Sequence, residues 1–217
     1  MKINADFSQR AVQQTQELPW IDSPMPGVQR RMLERDGEEV ARATSIVRYA
    51  PGSSFSAHTH GGGEEFLVLE GVFSDEMGDY TAGTYVRNPV SSRHTPFSNE
   101  GAVILVKLWQ MSPLDQTRVV IDTNNQPWKQ GLNEGEQIIP LHTYETENVA
   151  LVKWERGTQV KNYAHLEGEE IFVLQGEFSD ELGTYPQGCW IRNPPGVVPS
   201  RFTEQGSLLY LKTGHLG

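Results

Sequence analysis

An internal repeat constrains the fold of this chain more than any other feature of its sequence. Residues 70–89 read EGVFSDEMGDYTAGTYVRNP and residues 175–194 read QGEFSDELGTYPQGCWIRNP, at an offset of 105 positions. Copies of roughly 100 residues are too long for solenoid repeats, which stack units of about 20–45 residues. Since 217 residues can supply two separate cores, we interpret the repeat as tandem duplication of one domain.

The secondary structure predicted within each copy is short strands. In the first copy, the segments 46–49, 65–69, 84–86 and 103–109 are rich in branched and aromatic residues and are bounded by glycine, proline or asparagine. No long segment has a helical period, although residues 5–18 could hold a helical turn or two. The pattern predicts an all-β protein. A polar segment follows the last strand of the first copy, so we expect domains at 1–112 and 113–217.

Charge and composition exclude several classes of protein. The formal net charge of −10 argues against binding to nucleic acid or to an anionic membrane, because phosphate groups would repel the chain. The single cysteine, Cys189, excludes an intrachain disulfide and is compatible with a reducing compartment. The N-terminus lacks the apolar core of a signal peptide, and no segment has the length of a membrane span. We therefore expect a cytoplasmic protein.

Two histidines and a glutamate form the first part of a candidate metal site. His58 and His60 are two positions apart, which on a strand directs both imidazoles to one face. The glycine run 61–63 then permits a sharp change of direction before the next strand. Alternation along that strand directs either Glu64 or Glu65 towards the histidines, and we choose Glu64.

A third histidine completes the candidate site. His94 follows Gly83 and Pro89 and lies on a predicted strand after a turn. Imidazole and carboxylate ligands in this mixture suit zinc, iron, manganese, nickel or copper, and do not suit calcium or magnesium. The sequence thus predicts one divalent transition metal per chain, and the metal ligands that it predicts are His58, His60, Glu64 and His94.

The spacing of these residues resembles the two signatures of the cupin superfamily. The first signature is matched by Gly52, His58, His60, Glu64 and Gly71, and the second by Gly83, Pro89 and His94. The second has two departures, because Ser91 stands where glycine is usual and Ser98 where asparagine is usual. The resemblance implies a tandem double-stranded β-helix, the RmlC-like jelly-roll barrel, and hence a bicupin.

The amino-acid sequence of the first copy is similar to that of a narrower group, the cupin domain of ChrR-type anti-sigma factors. The segments HTHGGGEEFLVLEGVFSDEMGDY and RNPVSSRHTPFS carry this resemblance, which covers residues 40–110 well and 145–212 more loosely. It implies zinc as the metal. ChrR-type regulators bind their sigma factor through a separate N-terminal helical module with a second zinc on His-x3-Cys-x2-Cys. This chain has no such motif, so we do not expect a sigma factor as partner.

The second copy has lost half of the candidate site. At the offset of 105, His58 and His94 become Tyr163 and Pro199, whereas His60 and Glu64 become His165 and Glu169. One histidine and one carboxylate rarely hold a transition metal alone. The second domain is therefore expected to be degenerate, and either metal-free or weakly binding. Asp75, Arg87, Asn88 and Pro89 recur in this copy, which favours turn and packing roles for them.

Two functions remain open. The first is a metal-binding regulatory module that senses a small molecule or an oxidant, with zinc held by four side chains in a closed tetrahedral set. The second is an iron-dependent dioxygenase acting on a diketone or a hydroxylated ketone, whose metal has open positions for oxygen and substrate. Phe66, Val68 and Phe97 would then line a dry pocket. Cupin barrels often pair through sheet edges, so a homodimer is compatible with the resemblance.

Overall fold

The chain folds into two compact units, each a β-barrel. The computed structural model describes residues 1–160, 167–197 and 199–216. Barrel one consists of Met1–Ala5 and Glu17–Gln126, and barrel two consists of Asp6–Gln16 and Pro127–Gly217.

The described residues form strands and two 3₁₀ turns, and they contain no α-helix. The first fourteen strands are β1 Lys2–Ile3, β2 Ala11–Gln14, β3 Ile21–Asp22, β4 Val28–Gly37, β5 Ala41–Tyr49, β6 Ser53–Ser54, β7 His58–Thr59, β8 Glu64–Asp75, β9 Gly78–Thr81, β10 Thr84–Asn88, β11 Arg93–His94, β12 Phe97–Ser98, β13 Ala102–Leu108 and β14 Val119–Asp122. The remaining strands are β15 Lys129–Gln130, β16 Glu136–Tyr144, β17 Glu147–Trp154, β18 Gln159–Val160, β19 Glu169–Asp180, β20 Gly183–Pro186, β21 Cys189–Asn193, β22 Arg201–Phe202 and β23 Ser207–Thr213. The 3₁₀ turns are Thr15–Glu17 and Thr123–Asn125. The all-β prediction is confirmed.

The long strand β8 connects the two halves of barrel one. Its first half pairs with β10 and β13 in the antiparallel order β1-β4-β5-β13-β8-β10-β14, and its second half pairs with β9 and β12. Between the halves the register against β13 shifts by one residue. Gly71, with φ +71°, follows this bulge, and a Cβ there would overlap the Gly101 carbonyl. Bulge and glycine bend β8 so that it serves both sheets.

The core of barrel one follows from the alternation along β8. Phe66 and Val68 are buried on the inner face with Phe73, which follows the bend, and their neighbours are aromatic and branched residues of β5, β10 and β13. Burial of such a side chain contributes about 1.5–3 kcal/mol. Because the period of a strand is two, Glu64 points to the same face as Phe66. The core therefore fixes the direction of one glutamate.

Barrel two repeats the same topology. Its main sheet has the antiparallel order β15-β16-β17-β23-β19-β21-β2, and β20, β22 and β18 form the second layer with the bent strand β19. Its core is formed by buried side chains from β17, β19, β21 and β23, including Ile171, Val173 and Leu209. The duplicated sequence thus gives a duplicated fold.

The compact units do not divide the chain at the end of the first copy. β14 pairs with β10 and belongs to barrel one, whereas β2 pairs with β21 and belongs to barrel two. Each barrel is thus completed by the strand that precedes the other copy. The predicted domain limits, 1–112 and 113–217, describe the duplicated sequence unit and stay a prediction. Within residues 5–18, the helical expectation holds only for the turn Thr15–Glu17, because residues 11–14 are a strand.

Within the described ranges, no helix has the length and apolar character that crossing a membrane requires.

Candidate metal centre

The four predicted ligand residues converge at one point of barrel one. One donor atom from each of His58, His60, Glu64 and His94 lies within 4.8 Å of all the others. The Nε2 atoms of His58 and His60 are 3.2 Å apart. The Glu64 Oε1 atom lies 3.6 Å from His60 Nε2 and 3.5 Å from His94 Nε2. In the described part of the chain, this is the one group of three or more such side chains close enough to share an ion.

Two very short strands position the histidines. β7 and β11 pair with each other so that His58 lies directly opposite His94. His60 lies just beyond β7, and its backbone N–H donates to the Ser92 carbonyl at 2.9 Å. Glu64 is the first residue of β8. The predicted change of direction between His60 and Glu64 is therefore present, and it brings residues from three strands to one place.

The glycine run between His60 and Glu64 fits beneath the side chain of Trp109. A Cβ on Gly62 would lie 2.6 Å from the Trp109 Cα, and a Cβ on Gly61 would meet the indole ring at 2.6 Å. The Trp109 backbone N–H also donates to the Gly63 carbonyl at 3.1 Å. Residues without a side chain are thus required for the loop to lie this close.

Ser91 takes the conformation that a glycine normally supplies in the second cupin signature. Its φ is +71°, a left-handed value that non-glycine residues adopt at some energetic cost. Gly196, its counterpart in barrel two, has a φ of +81°. The Ser91 N–H donates to the His60 carbonyl at 2.9 Å. The departure from the signature therefore preserves the turn that holds His60.

Hydrogen bonds fix the tautomers of His58 and His60. The His58 Nδ1–H donates to the Ser56 carbonyl at 2.8 Å, because a carbonyl can only accept. The Ser92 hydroxyl donates to the Pro89 carbonyl at 2.6 Å, so its oxygen is left to accept from the His60 Nδ1–H at 2.9 Å. In both residues the proton resides on Nδ1. The Nε2 lone pairs then face each other across 3.2 Å.

His94 is oriented by Asp75. Its Nδ1–H donates to the Asp75 Oδ2 at 3.1 Å, while Asp75 Oδ1 accepts from the Tyr80 hydroxyl at 3.0 Å and the Met77 N–H at 2.8 Å. The His94 Nε2 is buried and has no hydrogen-bond partner among the described residues. A carboxylate behind the imidazole is a common support for a metal-binding histidine.

The electrostatics of the cluster differ between its two most buried imidazoles. Burial lowers the pKa of His60, and the charge of the neighbouring Glu64 carboxylate opposes this only in part. For His94 burial acts in the same direction, but the hydrogen bond to Asp75 and the charges of Glu64 and Asp75 outweigh it and raise the pKa. The three inward Nε2 atoms and the Glu64 carboxylate form a set of electron donors in which His58 is half-buried and the other three residues are buried. Such a set fits a divalent transition metal.

The neighbouring glutamate points away from the site, as predicted. Glu65 accepts hydrogen bonds from the Tyr85 hydroxyl at 2.8 Å and from Arg87 Nη1 at 3.1 Å. Glu64 instead accepts from the Asn88 side-chain amide at 3.3 Å. Asn88 and Asp75 therefore each bond to a candidate ligand, and the sequence analysis missed both contacts. Their recurrence in the second copy favoured turn and packing roles and concealed the additional contact.

Barrel two has a different arrangement at the equivalent position. Glu169, the counterpart of Glu64, accepts from the Asn193 side-chain amide at 2.6 Å and from both terminal nitrogens of Arg201. Pro199, at the position of His94, offers no donor atom. Tyr163 and His165 lie outside the described residues.

Comparison with known proteins places the chain in a family. Two segments, residues 8–112 and 116–217, match the family described as the ChrR cupin-like domain. No curated protein sequence shows a significant match.

Solved structures share the fold. A dioxygenase candidate from Nostoc punctiforme is 17% identical with a TM-score of 0.79, over 96% of this chain and 83% of that chain. The pirin YhhW from Escherichia coli, in complex with nickel(II), is 13% identical with a TM-score of 0.69, over 94% and 98%. Oxalate decarboxylase from Bacillus subtilis, with Mn(II) centres, is 12% identical with a TM-score of 0.65, over 94% and 76%. At these identities the likeness establishes the fold alone.

The family matches agree with the repeat, because each covers one copy and together they span most of the chain. The predicted tandem cupin fold is confirmed. The chain belongs to the family of ChrR cupin-like domains and carries that domain twice.

Proposed function

We propose that barrel one binds one divalent transition metal, zinc, and that the protein is a metal-dependent regulatory or sensing module. The observation that carries the metal proposal is the convergence of three imidazole lone pairs and the Glu64 carboxylate. Without a cation, the lone pairs of His58 and His60 would repel each other at 3.2 Å, and the buried His94 Nε2 would lack a partner in the described structure. A bound divalent ion would supply the positive charge that satisfies all four groups.

The spacing of the donor atoms supports zinc. A tetrahedral zinc site with bonds of about 2.0–2.1 Å has donor–donor distances of about 3.3 Å. Neighbouring donors around a six-coordinate ion with bonds of that length are about 3.0 Å apart. Three of the distances here are 3.2, 3.5 and 3.6 Å. These three values are compatible with a tetrahedral arrangement of four donors that all lie within 4.8 Å of one another.

Family membership supports the regulatory role. Four protein ligands in a closed tetrahedral set leave no position for substrate, which is typical of a structural or sensing site rather than a catalytic one. In this proposal, a small molecule or an oxidant acts on barrel one and a partner protein reads the change.

A second candidate function is an iron-dependent dioxygenase acting on a diketone or a hydroxylated ketone. The observation that favours it is the similarity, over 96% of the chain, to the dioxygenase candidate from Nostoc punctiforme. The buried Phe66 and Val68 share the face of Glu64 and would exclude water from such a site. This function requires iron and at least two open positions on the ion.

Elemental analysis of protein purified without added metal tests the first proposal. We expect about one zinc per chain in the wild type and in the control His142→Ala, a histidine outside the cluster. We expect most of the metal to be lost in His58→Ala. Stoichiometric iron or manganese in the wild type, or metal retained in full by His58→Ala, would contradict the proposal.

Oxygen uptake distinguishes the two functions. Iron-loaded protein is mixed with a panel of small diketones and hydroxylated ketones, and the rate is compared with that of His94→Ala. Uptake equal to this background supports the regulatory role. Iron-dependent turnover that His94→Ala abolishes would support the dioxygenase and contradict the sensing role.

A further inference from the structure

We propose that barrel two contains a metal-independent binding site for a small uncharged molecule that has an apolar body and a carbonyl oxygen. The site is the interior cavity of the barrel, and Arg201 donates the hydrogen bond that recognises the oxygen. The proposal goes beyond the metal site of barrel one, because it concerns the copy in which that site has decayed.

The cavity has the size and lining of a small-molecule site. Its volume is about 520 Å³, within the range of roughly 300–1,000 Å³ that such sites occupy. Side chains from β16, β17, β19 and β23 form an apolar wall, which consists of Ile138, Val152, Ile171, Leu209 and Leu211. The ring of Trp154 also lines the cavity. An apolar ligand body would gain by leaving water for this wall.

Arg201 supplies a polar group that still lacks one hydrogen bond. The residue is 4% exposed and lines the cavity. Its two terminal nitrogens both donate to the Glu169 carboxylate, which holds the guanidinium in place. Its Nε–H is buried and has no hydrogen-bond partner among the described residues. A buried donor without a partner is unfavourable, so an acceptor atom on a ligand would be stabilised there.

The charges around the cavity favour an uncharged ligand. Arg201 and Glu169 balance each other, whereas the Glu136 carboxylate adds one negative charge to the cavity wall. Glu136 accepts from the Trp154 indole N–H at 3.0 Å and from the Leu132 N–H at 2.9 Å. A ligand carboxylate would bring a second uncompensated negative charge close to that of Glu136. A ketone, ester or amide oxygen accepts the same hydrogen bond without that penalty.

The ion pair of Arg201 with Glu169 also explains how barrel two accommodates a buried carboxylate at this position. Glu169 corresponds to Glu64 of the metal site, and the guanidinium of Arg201 provides the positive charge that the metal would provide there. The cavity therefore needs no ion.

Binding is tested with the full-length protein and two eight-carbon probes, 2-octanone and octanoate. Isoleucine and leucine methyl groups are labelled with ¹³C, and their NMR shifts are followed during titration. We expect saturable shifts at Ile138, Ile171, Leu209 and Leu211 with 2-octanone, and binding at least several-fold weaker with octanoate. Equal or tighter binding of octanoate, or shifts centred on barrel one, would overturn the proposal.

Two variants separate the polar contact from the cavity. The double variant Arg201→Met/Glu169→Gln removes both charges together and should weaken binding of 2-octanone about fivefold, the loss expected for one hydrogen bond. Ala150→Leu adds volume to the cavity wall without touching Arg201 and should abolish saturable binding. The metal content of barrel one should not change in either variant.

Absence of saturable binding in the wild type, or undiminished binding in Ala150→Leu, would overturn the proposal. If the double variant does not fold, Ala150→Leu and the preference between the two probes decide the question.

Discussion

Asp75 has two roles at the residue scale, and the repeat allows them to be separated. In both copies the aspartate closes the hairpin turn after the long strand, since Asp75 accepts from the Met77 N–H and Asp180 from the Leu182 N–H. Only Asp75 also accepts from His94. Asp180 accepts from Tyr185, as Asp75 does from Tyr80, but its further partner is Arg10. A residue that recurs in the second copy can therefore still support the candidate site in the first.

Replacement of Asp75 by asparagine should weaken metal binding. The amide cannot stabilise the His94 tautomer as a carboxylate does, because its charge is lost and the side chain can present a donor instead of an acceptor. Loss of such a partner typically lowers metal affinity about 10–100-fold. Zinc affinity, measured by competition with a chromophoric chelator, checks this.

The matched control is Asp180→Asn in barrel two. It alters the same turn but has no contact with the candidate ligands, so zinc affinity should equal that of the wild type. An equal loss of affinity in both variants would mean that Asp75 acts only through the turn.

Cys189 should be unreactive in the folded protein. Burial raises the pKa of its thiol to about 11, and the nearby charge of Arg10 only partly opposes this. At pH 8 about one thiol in a thousand would be ionised, and the side chain is 3% exposed. We expect no modification by iodoacetamide at pH 8 and complete modification in denaturant. Rapid labelling of native protein would show that barrel two opens readily.

Residue types and spacing were sufficient to predict that these four candidate ligands come together. Their positions in two signatures constrain His58, His60, Glu64 and His94 jointly, and the strand period selects Glu64 over Glu65. The contacts of Asp75 and Asn88 could not be predicted in this way. The Asp75 contact depends on how the second half of β8 approaches β11, and the Asn88 contact depends on the register between β10 and β8; no local pattern records either.

At the scale of elements, the loop between His60 and Glu64 depends on its close packing against Trp109. Trp109 has a φ of +59°, a left-handed conformation that bulky residues rarely adopt, and Gly214 takes its place in barrel two with a φ of +74°. The tryptophan is 45% exposed, so burial of the whole ring does not explain this strain. The contact with Gly61 and Gly62 does offer a reason, because the indole covers the loop that carries two candidate ligands.

Substitution of Gly62 by alanine should disturb both stability and metal binding. The added Cβ would lie 2.6 Å from the Trp109 Cα, so either the glycine loop or Trp109 must move. Overpacking of this kind typically costs about 1–3 kcal/mol. The free energy of unfolding in urea and the zinc affinity should both decrease.

Gly183→Ala is the corresponding control, because the nearest neighbour of the added Cβ would be the Tyr185 hydroxyl at 3.4 Å, an ordinary van der Waals distance. This variant should unfold within about 1 kcal/mol of the wild type and bind zinc normally. Wild-type affinity in Gly62→Ala would mean that the loop tolerates displacement from Trp109.

The longer strands were predictable from the sequence, whereas the short ones were not. The segments 46–49, 65–69, 84–86 and 103–109 fall on β5, β8, β10 and β13, apart from Trp109 itself. The strands β7 and β11 contain two residues each and are too short to have a period. Their pairing is nevertheless what places His94 opposite His58.

At the scale of the whole molecule, the duplicated sequence and the compact units have different limits. β2 and β14 occupy equivalent edge positions, because Gln14 pairs with Cys189 and Asp122 pairs with Thr84. β2 precedes the first copy but pairs with the second, and β14 precedes the second copy but pairs with the first. The sequence could not predict this exchange, since both segments are short and either barrel offers the same free edge.

The exchange leads to a prediction about fragments. A fragment of residues 1–112 contains the complete candidate metal site but lacks β14 and Asp115. Asp115 accepts from Arg87 at 2.9 Å, and both side chains are almost completely buried. Arg87 keeps its ion pair with Glu65 at 3.1 Å, so loss of Asp115 should cost less than the about 3–5 kcal/mol of a buried charge left without a partner. Loss of β14 also exposes the edge of β10.

We therefore expect residues 1–126 to give a fragment that unfolds cooperatively and binds zinc, and residues 1–112 to give one that aggregates or unfolds at much lower temperature. Thermal unfolding followed by circular dichroism, with zinc binding measured in parallel, compares the two. Asp115→Asn in the full chain removes the ion pair but keeps β14. This variant should therefore reproduce only part of the loss of stability. If residues 1–112 are as stable as residues 1–126, β14 and Asp115 contribute little, and the limit of the folding unit coincides with the limit of the repeat.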